Sequence, residues 1–188
     1  MNSLIIAILY SLSGFLMKFS DDEYDEKSNK LIAIVIGIAC GIICAFLASH
    51  NIDAAYIFIA ILLGSLLSLK IDGIHHIATL AIFLILIFIW GIPELSIATL
   101  AICVISAFID EIGNDNEYIY KKSNFLKTFF DYRFTMKIAI LILAILGIYQ
   151  SFTGFSIINI DFLSISTFVY FLLFEIFYEI ARRLFDYC

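Results

Sequence analysis

Titratable residues gather at a few places in an otherwise apolar chain. Asp21 to Glu26 is an acidic run broken only by Tyr24. Within it, Asp21-Asp22-x-x-Asp25 makes a DDxxD pattern. On a helix, Asp21 and Asp25 lie one turn apart with Asp22 beside them. Like charges so placed repel, which calls for a cation among them. Hard divalent cations take oxygen ligands, and Mg²⁺ typically combines one or two carboxylates with substrate phosphates. Asp21, Asp22 and Asp25 are therefore candidate metal ligands, with Mg²⁺ the expected ion and Mn²⁺ its substitute. The plainer alternative is a solvated acidic loop paired with Lys18, Lys27 and Lys30.

Further along stands Asp72-Gly73-Ile74-His75-His76. Asp72 is a candidate helix N-cap and a candidate metal ligand, one turn from His76. Histidine titrates near neutrality, so His75 or His76 is a candidate acid/base group. A His–His pair is too short a signal to name a metal, and a cap followed by two interfacial histidines is the plain reading. Asp110 and Asp115, in Asp110-Glu111-Ile112-Gly113-Asn114-Asp115, are two more candidate metal ligands. Their alternative is a helix end whose acids reach water.

Glu175 lies in the apolar stretch before Arg182 and Arg183, about 10 Å inside it at 1.5 Å per helical residue. Glu179 has Arg183 four residues on, whereas Glu175 has no such local partner. A buried carboxylate must protonate, meet a cation or pair with another helix, so Glu175 is a candidate catalytic residue. Finally, Lys121, Lys122 and Arg133 flank an aromatic stripe in which Phe125 precedes Phe129 by one turn and Leu126 precedes Phe130. Rings down and cations among headgroups describe a short interfacial helix over 121–132. Its cations are candidates for binding a lipid phosphate, and a membrane-anchored connector is the simpler reading.

The elements that must position these groups follow from composition. Of 188 residues, 63% are hydrophobic and one is proline, against about 45–50% apolar in a soluble domain. The fold class is all-α, a polytopic membrane protein. The net charge is −6, and no basic surface for nucleic acid is evident. Cys40, Cys44, Cys103 and Cys188 form no CxxC and no zinc spacing, so no disulfide framework is expected. The opening segment lacks a basic flank and a small-residue cleavage site, so it is expected to remain as a span.

A helix needs about 20 mostly apolar residues to cross a bilayer. About seven stretches qualify, at roughly 2–18, 31–49, 54–70, 74–92, 95–111, 135–151 and 160–181. They are expected to form one transmembrane domain, since in lipid each segment must satisfy its own backbone. With this count all 11 Lys and Arg residues fall on one face. The positive-inside rule makes that face cytoplasmic, with the N-terminus outside and the C-terminus inside, in a multi-pass protein of the cell membrane. Most acids share the face, and only Asp53, Glu94 and Asp161 fall opposite. Gly37-x-x-x-Gly41, continued by Cys44 and Ala48, is a small-residue stripe that lets helices approach closely.

The Asp21–Glu26 run, DDEYDE, resembles the first aspartate-rich motif of UbiA-type membrane prenyltransferases. FIDEIGNDNEYIYKK is similar to their second motif through Asp110, Gly113 and Asp115. Four spans separate the motifs in that family, and four separate them here. The family has nine spans, and its leading Asn-Asp is Asp21-Asp22 in this chain. The resemblance implies Mg²⁺-assisted binding of a phosphorylated lipid, with Asp21, Asp22 and Asp25 joined by Asp110 and Asp115. The expected function is thus a metal-dependent enzyme acting at the cytoplasmic face on a prenyl or glycerolipid phosphate. Two alternatives stand beside it. One is a proton- or cation-coupled transporter, although the middle of the second to fourth spans is nearly free of polar residues. The other is a non-catalytic subunit whose charges dock a cytoplasmic partner.

Overall fold

The computed structural model describes residues 1–71, 73–114, 116, 118, 121 and 123–185. Among them the chain is all-α. The helices are α1 Ser3–Asp25, α2 Lys30–His50, α3 Ile52–Leu67, α4 Ile74–Trp90, α5 Ile97–Asn114, α6 Asn124–Asp131, α7 Phe134–Thr153 and α8 Ile165–Phe185. Each stretch expected to span carries one helix. Four of them, α1, α2, α5 and α7, are long and apolar enough to cross a membrane, while α3 and α4 are apolar but shorter. α8 is 21 residues long and carries Glu175, Glu179, Arg182 and Arg183. Within the 121–132 stretch the structure shows a helix, α6, over eight residues.

Local chemistry sets the helix ends. Asn2 accepts from the Leu4 amide at 3.0 Å and so caps α1. Asn51 accepts from the Ala54 amide at 2.8 Å at the start of α3, and Ser123 accepts from the Leu126 amide at 3.4 Å to open α6. These side chains satisfy amides that have no partner inside the helix. Gly91 and Gly154 stop α4 and α7 in the left-handed region, at φ 80° and 70°, where a side chain is disfavoured. α1 was expected to end near residue 18. It continues through Asp25, so the acidic run is the last part of a helix.

Two compact units are distinguished, one comprising Met1–Ala55, Ile71–Pro93 and Val169–Cys188, the other Tyr56–Lys70 and Glu94–Phe168. In the first unit α2 packs against both α1 and α4. Gly37 and Gly41 form the contact with α4. A Cβ on Gly37 would lie 2.5 Å from Thr79 Oγ1, 3.1 Å from the His75 carbonyl and 3.2 Å from Ser20 Oγ. Ser20 Oγ donates to the Ala33 carbonyl at 2.8 Å, pinning α1 to α2. The C-terminal part of α8 lies on α1, its Phe174 carbonyl directly over Gly14, and Phe185 meets Phe19 edge to face at 5.4 Å.

In the second unit α5 packs against α6 and α7. One end of this unit is tied by a part-buried polar network that the sequence did not signal. The Tyr56 hydroxyl donates to Asp161 Oδ2 at 2.5 Å and accepts from the Ser96 amide at 2.6 Å. Thr99 Oγ1 donates to the Asp161 carbonyl at 3.0 Å and accepts from the Asp161 amide at 2.8 Å. Across the chain, large apolar side chains such as Phe88, Ile97 and Leu31 stand outward, at 90%, 85% and 76% exposure. Outward apolar surface on this scale is costly in water and at home in lipid, the pattern of a membrane protein.

Candidate functional site

The groups that meet lie in the first unit, where α1 ends and α4 begins. Asp21 Oδ1 is 3.6 Å from His75 Nε2 and 3.4 Å from His76 Nε2. Each of the three residues offers one ligand atom, and these atoms lie within 4.8 Å of one another. This is the one group of three or more such residues found among the described residues. The sequence named all three, but gave Asp21 to a metal and the histidines to acid/base chemistry. The structure puts them in one place.

Each side chain is held for a visible reason. The helical continuation of α1 carries Asp21 a full turn beyond Met17. Lys18, one turn before the acids, sits 3.2 Å from Asp21 Oδ2 and 2.7 Å from Asp22 Oδ1. That ion pair occupies one Asp21 oxygen and leaves Oδ1 facing the imidazoles. His75 is 2% exposed. Its ring lies 4.4 Å from that of Tyr24 and 3.9 Å from that of His76, centre to centre. Gly73, the N-cap of α4, makes room for it, because a Cβ there would come within 2.5 Å of His75 Nδ1. Neither nitrogen of His75 has a hydrogen-bond partner among the described residues. Buried polar groups are normally satisfied, so this ring is the anomaly of the site.

The other expected ligands go elsewhere. Asp22 is buried and drawn to Lys18, while Asp25 is exposed. Asp72, Asp115 and Lys122 lie outside the described residues, and the N-cap of α4 is Gly73, the residue after Asp72. Glu175 is buried in α8 at 7% exposure. Glu179 pairs with Arg182 and not with Arg183, as the four-residue spacing had suggested. Three-residue neighbours on a helix are as close as four-residue ones.

Asp110 belongs to the second unit and is 1% exposed. Its Oδ1 accepts from the Thr135 amide at 3.0 Å and its Oδ2 from the Met136 amide at 2.7 Å. It thus caps the N-terminus of α7, where amides lack helical partners and the helix dipole favours an anion. The neighbouring Glu111 is buried between Lys70 at 3.0 Å and Arg133 at 3.2 Å. Arg133, an expected phosphate ligand, therefore has a carboxylate against its guanidinium. It takes a left-handed backbone, φ 48°, just ahead of α7. Lys121 is exposed. Glu111 was not among the expected site residues, and its signal was present, since an acid at a span end close to basic residues asks for a partner.

Chemically, two imidazoles and one carboxylate oxygen are a donor set that many divalent cations accept. Three protein ligands leave at least one coordination position for water or substrate, which is the pattern of catalytic sites and not of closed structural ones. No protein-family model, curated protein or solved structure matches this chain.

Proposed function

We propose that this chain is a multi-pass membrane protein that holds a divalent cation between Asp21, His75 and His76 at its cytoplasmic face and uses it on a phosphorylated lipid. The convergence of those three side chains is the observation that carries the reading. They stand at the ends of two apolar helices, where a lipid headgroup would meet them while its chains stay among the outward apolar side chains. In this reading the chain crosses seven times, N-terminus outside, with every Lys and Arg on the face that bears the site. The cation would bind phosphate oxygens and lower the pKa of a bound water. Histidines that ligate a metal cannot also act as the free acid or base, so the metal-bound water takes that part. Lys18, paired with the far oxygen of Asp21, orients the carboxylate.

The test uses the full chain in lipid nanodiscs, stripped of metal. Polyprenyl phosphates, polyprenyl diphosphates and glycerophospholipids are supplied in turn, with and without added divalent cations, and phosphate release or headgroup transfer is followed. Turnover that needs metal and falls with Asp21→Asn is the expected result. Absence of metal-dependent turnover on all three lipid classes, in a protein that demonstrably binds the cation, would sink the lipid reading.

A further inference from the structure

We infer that Asp21 Oδ1, His75 and His76 form a four-coordinate site for a borderline d-block cation of the Zn²⁺ kind, one position open, and that the site discriminates against Mg²⁺. The inference deepens the proposed function and rests on it only for the presence of a cation. It replaces the Mg²⁺ that the aspartate-rich run suggested.

Three observations carry it. The first is spacing. Two ligands at 2.0–2.1 Å from a tetrahedral centre stand about 3.3–3.4 Å apart. Two adjacent ligands of an octahedral Mg²⁺ at the same radius stand about 2.9 Å apart. Asp21 Oδ1 is 3.4 Å from one imidazole nitrogen and 3.6 Å from the other. These two separations are too long for good hydrogen bonds and lie nearer the tetrahedral edge than the octahedral one, with all three ligand atoms within 4.8 Å of one another.

The second is donor type. Imidazole suits Zn²⁺ and its neighbours, while Mg²⁺ prefers carboxylate, phosphate and water. The all-oxygen alternative is poorly served at this spot. Lys18 takes Asp22 Oδ1 and Asp21 Oδ2, and Asp25 is exposed. The third is His75 itself. It is 2% exposed, with both nitrogens lacking a hydrogen-bond partner among the described residues and Nε2 3.6 Å from the Asp21 oxygen. A cation at the centre of the triangle would satisfy its Nε2. Lys18 on the far oxygen of Asp21 then plays the orienting part that partners of metal ligands commonly play.

The experiment titrates the metal-stripped full chain in detergent with Zn²⁺ by calorimetry and with Co²⁺ by visible absorption. Asp21→Asn and His76→Gln test the ligands. His76 is 32% exposed, so its replacement does not open the interior as a change at His75 would. His50→Gln is the control, because His50 is the one histidine of the three that lies outside the site. We expect one Co²⁺ per chain with the intense bands of four-coordination, unmoved by millimolar Mg²⁺. Each ligand variant should weaken Zn²⁺ binding by more than the roughly 10–100-fold that loss of an outer partner costs, with His50→Gln unchanged.

Displacement of Co²⁺ by millimolar Mg²⁺, or wild-type Zn²⁺ binding in His76→Gln, would overturn the inference. Lipid turnover driven by Mg²⁺ that needs Asp21 but not His76 would overturn it too, while sparing the proposed function. A tight Zn²⁺ site with no lipid turnover would do the reverse.

Discussion

Replacing Asp110 separates a carboxylate that holds the fold from one that holds a metal. The side chain is 1% exposed, and each oxygen accepts one amide at the start of α7, at 3.0 and 2.7 Å. Asp110→Asn keeps the shape but has one acceptor for two donors, and its amide group points hydrogens at the second N–H. One charge-assisted bond is lost and a buried donor is stranded, so the cost is about 2–3 kcal/mol. Asp110→Ala strands both amides and removes the cap, a loss of about 3–5 kcal/mol. Unfolding of the full chain in detergent, with and without saturating Zn²⁺, reads both quantities. Wild type should be the most stable, Asp110→Asn intermediate and Asp110→Ala the least. The rise in midpoint on adding Zn²⁺ should be the same in all three, because Asp110 ligates nothing in this account. An Asp110→Asn protein as stable as wild type would refute the capping argument. A folded Asp110→Asn protein that no longer responds to Zn²⁺ would place Asp110 in the metal site, as the aspartate-motif resemblance implied.

Other expectations follow from the packing. Gly37→Ala puts a methyl 2.5 Å from Thr79 Oγ1 and should cost about 1–3 kcal/mol as overpacking. Adding Thr79→Ala should recover part of the loss in a double-mutant cycle of unfolding energies. Tyr56→Phe removes the hydroxyl shared by Asp161 and the Ser96 amide and should cost about 0.5–1.5 kcal/mol, since Asp161 is exposed and can turn to water, without altering Zn²⁺ affinity in calorimetry. Tags at the two termini should show opposite protease accessibility in sealed vesicles. Both tags on one side would rule out an odd number of crossings.

Much of the architecture was legible because its causes are local. Runs of apolar residues set the helices, and Asn2, Asn51, Gly91 and Gly154 set ends within a turn of themselves. The Gly37–Gly41 stripe announced a close helix contact before any partner was known. What the sequence could not settle was the partner of each polar group, since that depends on residues far along the chain. Asp110 looks like a ligand in its motif, yet its acceptors are spent on amides 25 and 26 residues later. Arg133 looks like a phosphate ligand, yet Glu111 lies against it. The Tyr56–Asp161 bond spans 105 residues and has no signature in either neighbourhood. The end of α1 was misplaced for a related reason. A carboxylate run reads as a stop in water, but Lys18 on the same face offsets two of its charges and the helix continues.

The meeting of Asp21 with His75 and His76 depends on a residue that carries no chemistry. The three nearest atoms to a Cβ on Gly37 belong to Thr79, His75 and Ser20. Ser20 adjoins Asp21 on α1, and Thr79 lies one turn into α4 from His75 and donates to its carbonyl at 2.9 Å. The absent side chain on α2 is therefore where the helix bearing the carboxylate and the helix bearing the imidazoles come closest to a common support. Any side chain there must push α2 away from one of them. The 3.4 and 3.6 Å separations that define the site would open with it, because packed helices shift as units and not atom by atom. The small-residue stripe and the acidic run, which look unrelated along the chain, are on this argument one device. A Gly37→Ala protein that stays folded should lose Zn²⁺ affinity although every ligand remains, and wild-type affinity in that protein would show that the site is positioned without α2.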